Sequence, residues 1–393
     1  MLLKKVHIQN YRVLANVALD LGHVNVFFGQ NAAGKTSFLD ALWFVRDCAI
    51  RGVEEATGER DHGIGLLWDG EASKDSFSVE LETSSARYTT RFQLTSGRID
   101  PHAGEVLTSK LTDTTLIRRS PGQNRVDFYH KRLDQLVQIN LREPTKIALS
   151  RYLDLEGETL PEAVECDHLL RYSRFFDSRQ LDFYGLRRRG SESSFHIRLW
   201  DRATNLWSVL RNLHDRQSLD DRYDTIMGYM RRAFPKFDTL FLEQTGANVV
   251  IGQFVERGRR HPIQASGVSD GFLQLLILLT ALFSEGQDCP SLLLFDEPET
   301  SLHPHAIAIL AEGIKEATEN WDRQVALATH SPVLLSQFEP EQVIVAEPGE
   351  QGDARFRRIS EIDDLEDLIH EYALGSLYMA EEVGAQSAGN SLP

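Results

Sequence analysis

The chain has 393 residues, a formal net charge of −16 and three cysteines, Cys48, Cys166 and Cys289. That length suits one complex domain or two, and the acidic total argues against a surface that grips nucleic acid along its whole extent. Cysteines so far apart, with no CxxC pair, point away from a zinc site or disulfide framework and toward a reducing, cytoplasmic setting, and no segment approaches the roughly 18 to 20 apolar residues of a membrane span, so no membrane partner is expected.

The first strongly patterned element is VNVFFGQNAAGKTSFLDALWFV, Val24 to Val45: an apolar strand, a loop and a helix. Gly29 and Gly34 frame the loop and Lys35 and Thr36 follow, which matches GxxxxGK(S/T) in the setting that motif needs. Glycines let backbone N–H groups turn inward on phosphate oxygens, and the helix N-terminus adds its positive end. The expected ATP cradle is therefore Gly29, Gln30, Asn31, Ala32, Ala33, Gly34, Lys35, Thr36 and Ser37, with Lys35 on the β- and γ-phosphates and Thr36 on Mg2+. Phe38, Ala41, Leu42 and Val45 recur at helical spacing and would seat the helix on a sheet.

Further on, DSFSVELE and RYTTRFQLTSG alternate polar and apolar residues and read as antiparallel strands. From about Leu141 to Phe234 helical patterns follow, LWSVLRNL and DTIMGYMRRAF among them, without sustained heptads. Within this span, residues 171–202 carry eight arginines against four acids, interleaved with Tyr172, Phe175, Phe176, Phe183 and Tyr184. Such a segment suits nucleic acid or an acidic partner, and it equally suits a solvated helix face with its own core aromatics.

The run ASGVSDGFLQLLILLTALF is an apolar helix preceded by Ser269, Asp270 and Gly271; it reads as a capped core helix or as a second anion site at a helix start. LLLFDEPETSLHP, Leu292 to Pro304, is a continuous apolar run that fits a strand buried on both faces, with Asp296 and Glu297 at its C-terminal end, where open α/β sheets bind ligands. Alone, the acids could belong to a helix N-terminus. A P-loop upstream calls for an acid delivered to magnesium, which Asp296 supplies, and Glu297 is then placed to polarise the attacking water. His330 ends the strand QVALAT, where a histidine is also a common cap. Residues 361–393 hold eight acids and no Lys or Arg, with Ile362, Leu365, Ile369 and Tyr372 at helical spacing, a stripe for the protein's own core or for a partner.

Taken in order, GQNAAGKTS, ASGVSDGFLQLLILL, LLLFDEPETSLHP and ALATHSP resemble the motifs of ABC-type ATPase heads, most of all the soluble RecF, SMC and OLD-like branch with its stand-alone AAA-family ATPases of bacteria. The resemblance covers about residues 1–94 and 239–347. It implies an α/β fold, a P-loop NTPase of ABC-ATPase head type with a mixed central sheet, an antiparallel accessory sheet and a helical insertion lobe. The expected division is an N-terminal ATPase lobe at 1–140, the helical lobe at 141–238, a C-terminal ATPase lobe at 239–360 and the acidic tail at 361–393. With no coiled coil, and with the chain ending soon after ATHSP, a head lacking a C-terminal nuclease domain is expected.

The same resemblance implies roles for single residues. Val268 to Phe272 stands where the signature contacts the γ-phosphate bound by the other subunit, with Asp270 in place of the usual glycine and Phe272 in place of the usual glutamine. Glu297 and His330 are then the catalytic pair, His330 as the switch histidine. Ser301-Leu302-His303 resembles the D-loop, although His303 also suits a helix start before Pro304. Arg12, in QNYR, resembles a phosphate-contacting arginine and is equally a surface turn residue. Gln93 is the candidate for the glutamine that couples Mg2+ to the variable lobe. The implied function is hydrolysis of ATP to ADP and phosphate by a homodimer or higher even-numbered assembly that closes around two ATP. It would gate an effector protein, nuclease-like, in DNA transactions or phage defence. The rival reading is an ATP-dependent assembly scaffold that binds protein partners and not DNA.

Overall fold

The computed structural model describes residues 2–60, 63, 65–69, 75–152, 160–287, 289 and 291–361. The stripe Ile362, Leu365, Ile369 and Tyr372 lies outside the described residues. The chain forms two compact units, one running to Ser173 and resuming at Ile344, the other from Arg174 to Val343.

The first unit contains β1 (Lys5–Tyr11), β2 (Leu14–Asp20), β3 (Val24–Gly29), α1 (Lys35–Ile50), α2 (Val53–Gly58), β4 (Ser76–Glu82), β5 (Ala86–Thr95), β6 (Arg98–Ile99), β7 (Gly104–Ser109), β8 (Thr115–Arg119), β9 (Arg125–His130), β10 (Gln135–Asn140), α3 (Ala148–Tyr152) and α4 (Pro161–Tyr172). An antiparallel sheet runs in the order β10-β9-β8-β7-β5-β4-β1-β2, with β6 beside β5. The two alternating segments form its centre: Ser76 pairs with Gln93 and Glu82 with Arg87, and Phe77, Val79, Leu81, Tyr88 and Phe92 are buried. The P-loop helix α1 packs on this layer, with Phe44 4.9 Å from Phe92 and 5.6 Å from Phe77 between ring centroids. Toward β3, Phe38 packs against Phe27 with ring centroids 4.6 Å apart and the rings tilted. All six residues of β3 are buried, so its apolar run shows no alternation. Aromatic pairs on both sides fix the helix that follows the loop, and truncating one such core ring would cost about 3–5 kcal/mol.

The second unit contains β11 (Arg174–Asp177), α5 (Phe183–Arg188), β12 (Ser191–Glu192), α6 (Leu206–His214), α7 (Arg222–Ala233), β13 (Phe237–Gln244), β14 (Val249–Glu256), β15 (Ile263–Gln264), α8 (Asp270–Phe283), β16 (Ser291–Asp296), α9 (Pro304–Asn320), β17 (Arg323–Thr329) and α10 (Pro332–Leu335). Strand β16 lies between β11 and β17, parallel to both, and every residue of β16 and β17 is buried. Residues 141–238 thus hold α3 to α7 together with β11 and β12. Nearly all of α8 is buried, as its apolar run predicts. Arg323, fully buried at the start of β17, donates to the carbonyl oxygen of Leu282 in the last turn of α8 and to those of Glu285, Gly286 and Cys289 in the segment that follows. Returning to the first unit, β18 (Val343–Pro348) and β19 (Ala354–Arg358) pair antiparallel and follow β3 in strand order.

Candidate nucleotide site

In the first unit, the chain leaves β3 at Gly29 with φ +151° and enters α1 through Ala32 at +64° and Gly34 at +94°. A Cβ at Gly29 would lie 2.1 Å from the Ala346 carbonyl oxygen, and one at Gly34 would lie 2.6 Å from Ala354 Cβ. Glycine is required at both places by space as well as by dihedral. Lys35 folds back over the loop, and its Nζ donates to the carbonyls of Gly29 and Gln30, both at 2.7 Å. The lysine is only 7% exposed. Asn31 and Ala32 form the exposed tip, while Thr36 and Ser37 are half-buried in the first turn of α1. A glycine-lined loop closing around a buried ammonium fits the phosphates of a nucleotide.

Arg12 adopts φ +50° beside this helix. Its Nη2 lies 2.9 Å from Asp40 Oδ2 on α1, and the Tyr11 hydroxyl donates to the same oxygen at 2.5 Å. Arg60 holds the other Asp40 oxygen at 3.0 Å. Burial, reinforced by Asp40, keeps the Tyr11 phenol protonated well above its ordinary range. Gln93 lies near the end of β5, exposed and opposite Ser76 in the antiparallel sheet.

In the second unit, Asp296 ends β16 and is 1% exposed. Asp177 ends β11 directly opposite it. Arg179 bridges the two carboxylates, with Nη2 2.9 Å from Asp296 Oδ2 and Nε 3.0 Å from Asp177 Oδ1. A buried carboxylate held by an exposed, displaceable guanidinium is a fitting donor for a cation. Among the described residues no cluster of three or more His, Cys, Asp and Glu side chains could hold a metal ion. A cation at Asp296 would draw on ligands of another kind, as hydroxyls and nucleotide phosphates are.

The next turn is strained and densely tied. Glu297 sits at φ +50°, and its N–H donates to the Ala328 carbonyl at 2.8 Å. Ser178 donates its hydroxyl to the Glu297 carbonyl at 2.7 Å and accepts from Gln274 Nε2 on α8, also at 2.7 Å. His330 Nδ1 lies 3.7 Å from Glu297 and 4.0 Å from Glu299. Burial raises the Glu299 pKa.

At the start of α8, Ser269 is the helix cap: its hydroxyl oxygen accepts from the Phe272 N–H at 3.3 Å. Arg187 lies 2.5 Å from Asp270 and donates to the Val268 carbonyl at 2.9 Å, so one arginine of the basic run is tied to the predicted signature. Another, Arg189, is 2.8 Å from Asp182. A Cβ at Gly271 would fall 2.2 Å from the Ser301 carbonyl oxygen. The predicted signature and D-loop are therefore in backbone contact within the chain. His303 caps α9 ahead of Pro304, with Nδ1 accepting from the His305 N–H at 3.4 Å. Sequence reasoning missed Asp177, Ser178, Arg179, Gln274 and Glu299. One signal was available, since RFFD is a short copy of LLLFD, an apolar run that ends in aspartate.

Residues 24–336 match the family described as "AAA domain, putative AbiEii toxin, Type IV TA system". Among curated proteins, the chain is similar to the DNA replication and repair protein RecF of Bacteroides fragilis, 45% identical over 53 residues, 13% of this chain and 14% of that protein. It is also similar to RecF of Streptococcus agalactiae serotype Ia, 26% identical over 160 residues, 39% of this chain and 42% of that protein. The chain thus matches less than half the length of these relatives. Among solved structures, the Smc head bound to the C-winged helix domain of ScpA aligns at TM-score 0.58 and 14% identity over 90% of this chain and 97% of that one. The Smc head with an extended coiled coil bound to the C-terminal domain of ScpA, derived from Pyrococcus furiosus, aligns at 0.53 and 11% over 94% and 99%. Among the described residues, no helix is long and apolar enough to cross a membrane. The fold is that of an ABC-type P-loop NTPase head, and the chain belongs to the family described as "AAA domain, putative AbiEii toxin, Type IV TA system".

Proposed function

We propose that the chain binds ATP with Mg2+ and hydrolyses it to ADP and phosphate. The observation that carries this reading is Lys35, an ammonium held inside a glycine-framed loop on the carbonyls of Gly29 and Gln30. Lys35 and the loop N–H groups from Gly29 to Ser37 would hold the β- and γ-phosphates, and Arg12 would add a charge from beside α1. Thr36 and Asp296 are the candidate magnesium ligands, with Gln93 a further one. When bound, the ion would neutralise charge that develops between the β- and γ-phosphoryl oxygens. Glu297 would accept a proton from the attacking water, and His330 would hold the γ-phosphate edge. In this reading Ser269, Asp270 and Gly271 meet the γ-phosphate bound by a second copy, so hydrolysis opens a closed homodimer. The test is ATP binding by Lys35→Ala and turnover by Glu297→Gln. The reading expects the first to lose nucleotide and the second to bind it without turning it over; normal turnover in both would reject it.

In the cell, such a head would gate an effector protein, nuclease-like, in DNA transactions or antiviral defence. The names of the RecF relatives support DNA, and the protein-bound Smc heads support a protein partner. Arg188 and Arg189 are exposed on α5 and just beyond it. If they meet a phosphate backbone, replacing both with Ala should flatten the salt dependence of DNA binding by about two units of slope. Binding and slope that do not change would favour the scaffold that contacts protein alone.

A further inference from the structure

Glu299 is more than nine-tenths buried, yet its Oε2 has no hydrogen-bond partner. Its other oxygen, Oε1, accepts from the Thr329 hydroxyl at 2.5 Å. That hydroxyl oxygen in turn accepts from the Ser331 N–H at 2.9 Å. Thr329 and Ser331 are the two chain neighbours of His330, so the carboxylate holds the Thr329 side chain, which in turn ties the backbone just after the histidine. The imidazole turns Nδ1 toward Glu299 and Glu297, at 4.0 Å and 3.7 Å, and more than half of the side chain is exposed. Nε2 is then the ring nitrogen left for an incoming anion.

We infer that Glu299 is the positioning residue of His330: through Oε1, which holds the Thr329 hydroxyl and faces Nδ1, it fixes the imidazole so that Nε2 faces the γ-phosphate. The inference rests on the ATPase reading for the identity of the anion, but not for the placement of the ring. The oxygen that accepts from Thr329 is the same one that lies 4.0 Å from His330 Nδ1, so a single buried carboxylate oxygen faces both the ring and the residue before it.

The experiment uses the full chain without nucleotide and follows the imidazole 15N signals of His330, assigned by their loss in His330→Ala. Glu299→Ala and Thr329→Val should both move these signals in the same direction. Glu299→Gln, whose amide oxygen still accepts from Thr329, should leave them near the wild-type position. Unmoved signals in both disruptive variants overturn the inference, whatever the enzyme proves to hydrolyse. If Glu299→Ala does not fold, the Thr329→Val spectrum decides alone. With ATP, Glu299→Ala should lower kcat by up to about 100-fold with little change in KM, and should lower it no further in a His330→Ala background. Additive losses in the double variant would also overturn it. A wild-type protein that turns over no ATP would reject the ATPase reading while leaving the spectral result to judge the positioning.

Discussion

Single residues at the loop carry separable tasks. Lys35→Ala removes an ammonium that bonds to carbonyls of its own loop, so it should leave the thermal midpoint nearly unchanged while weakening ATP at least about tenfold, the equivalent of 1.4 kcal/mol. Gly34→Ala should lower both, because it meets Ala354 at 2.6 Å and needs φ +94°. Fluorescent-nucleotide titration beside a melting curve separates the two, and equal melting losses would refute the assignment of strain to Gly34 alone. Arg179 acts in the opposite sense. Its guanidinium occupies Asp296, so Arg179→Met should tighten divalent-ion binding by about two- to fivefold, the size of a part-exposed ion pair. Mn2+ spectroscopy in the presence of ATP measures it, and weaker binding would make Arg179 a supporter of the ion rather than its competitor. The loop residues were legible because the motif is contiguous and its chemistry dictates its spacing. Arg179 was not, since it reaches Asp296 across 117 residues of chain through a strand pairing that no local pattern announces.

Elements were legible in proportion to how uniformly they are buried. Strands β3, β16 and β17 are continuous apolar runs because both faces are covered, and β4 and β5 alternate because one face is. Strand β11 is four residues of a segment whose arginines suggest a solvated face, and only its neighbour β16 makes it central. Strand β10 has no buried residue, so hydrophobic period could not mark it. The most consequential element is α8, whose N-terminus carries Ser269 and whose last turn and following segment are tied by Arg323. Arg323→Met would leave several carbonyl oxygens unsatisfied in a buried position and should cost about 3 kcal/mol or more. Urea denaturation checks the size, and a loss below about 1 kcal/mol would show that water replaces the guanidinium. At the other end, Gly271→Ala drives a Cβ onto the Ser301 carbonyl. It should shift the turn at 301–303 and impair turnover more than nucleotide binding.

At the scale of the whole molecule, the proposal requires two distant motifs to act on one nucleotide from different copies of the chain. Glu297→Gln keeps the shape of the turn and the carboxylate of Asp296 while removing the group that accepts the water's proton, so turnover should fall by about 10² to 10⁴ with ATP binding intact. The closed state should then accumulate, and light scattering should find Glu297→Gln as a dimer or larger even-numbered assembly in ATP but not in ADP. Ser269→Arg places a long side chain where the opposite copy's γ-phosphate would sit, and it should block closure while its own P-loop still binds nucleotide. Neither Ser269→Arg nor Lys35→Ala should turn over ATP alone. Mixed together they form some dimers in which one composite site carries both defects and the other carries neither. Random pairing makes half of the dimers mixed, each with one intact site of two, so up to about a quarter of wild-type turnover should return. An assembly state that ignores nucleotide in every variant, together with a mixture as inactive as its parents, would place all the chemistry within one chain and reduce Ser269 to the helix cap that its hydrogen bond to Phe272 describes.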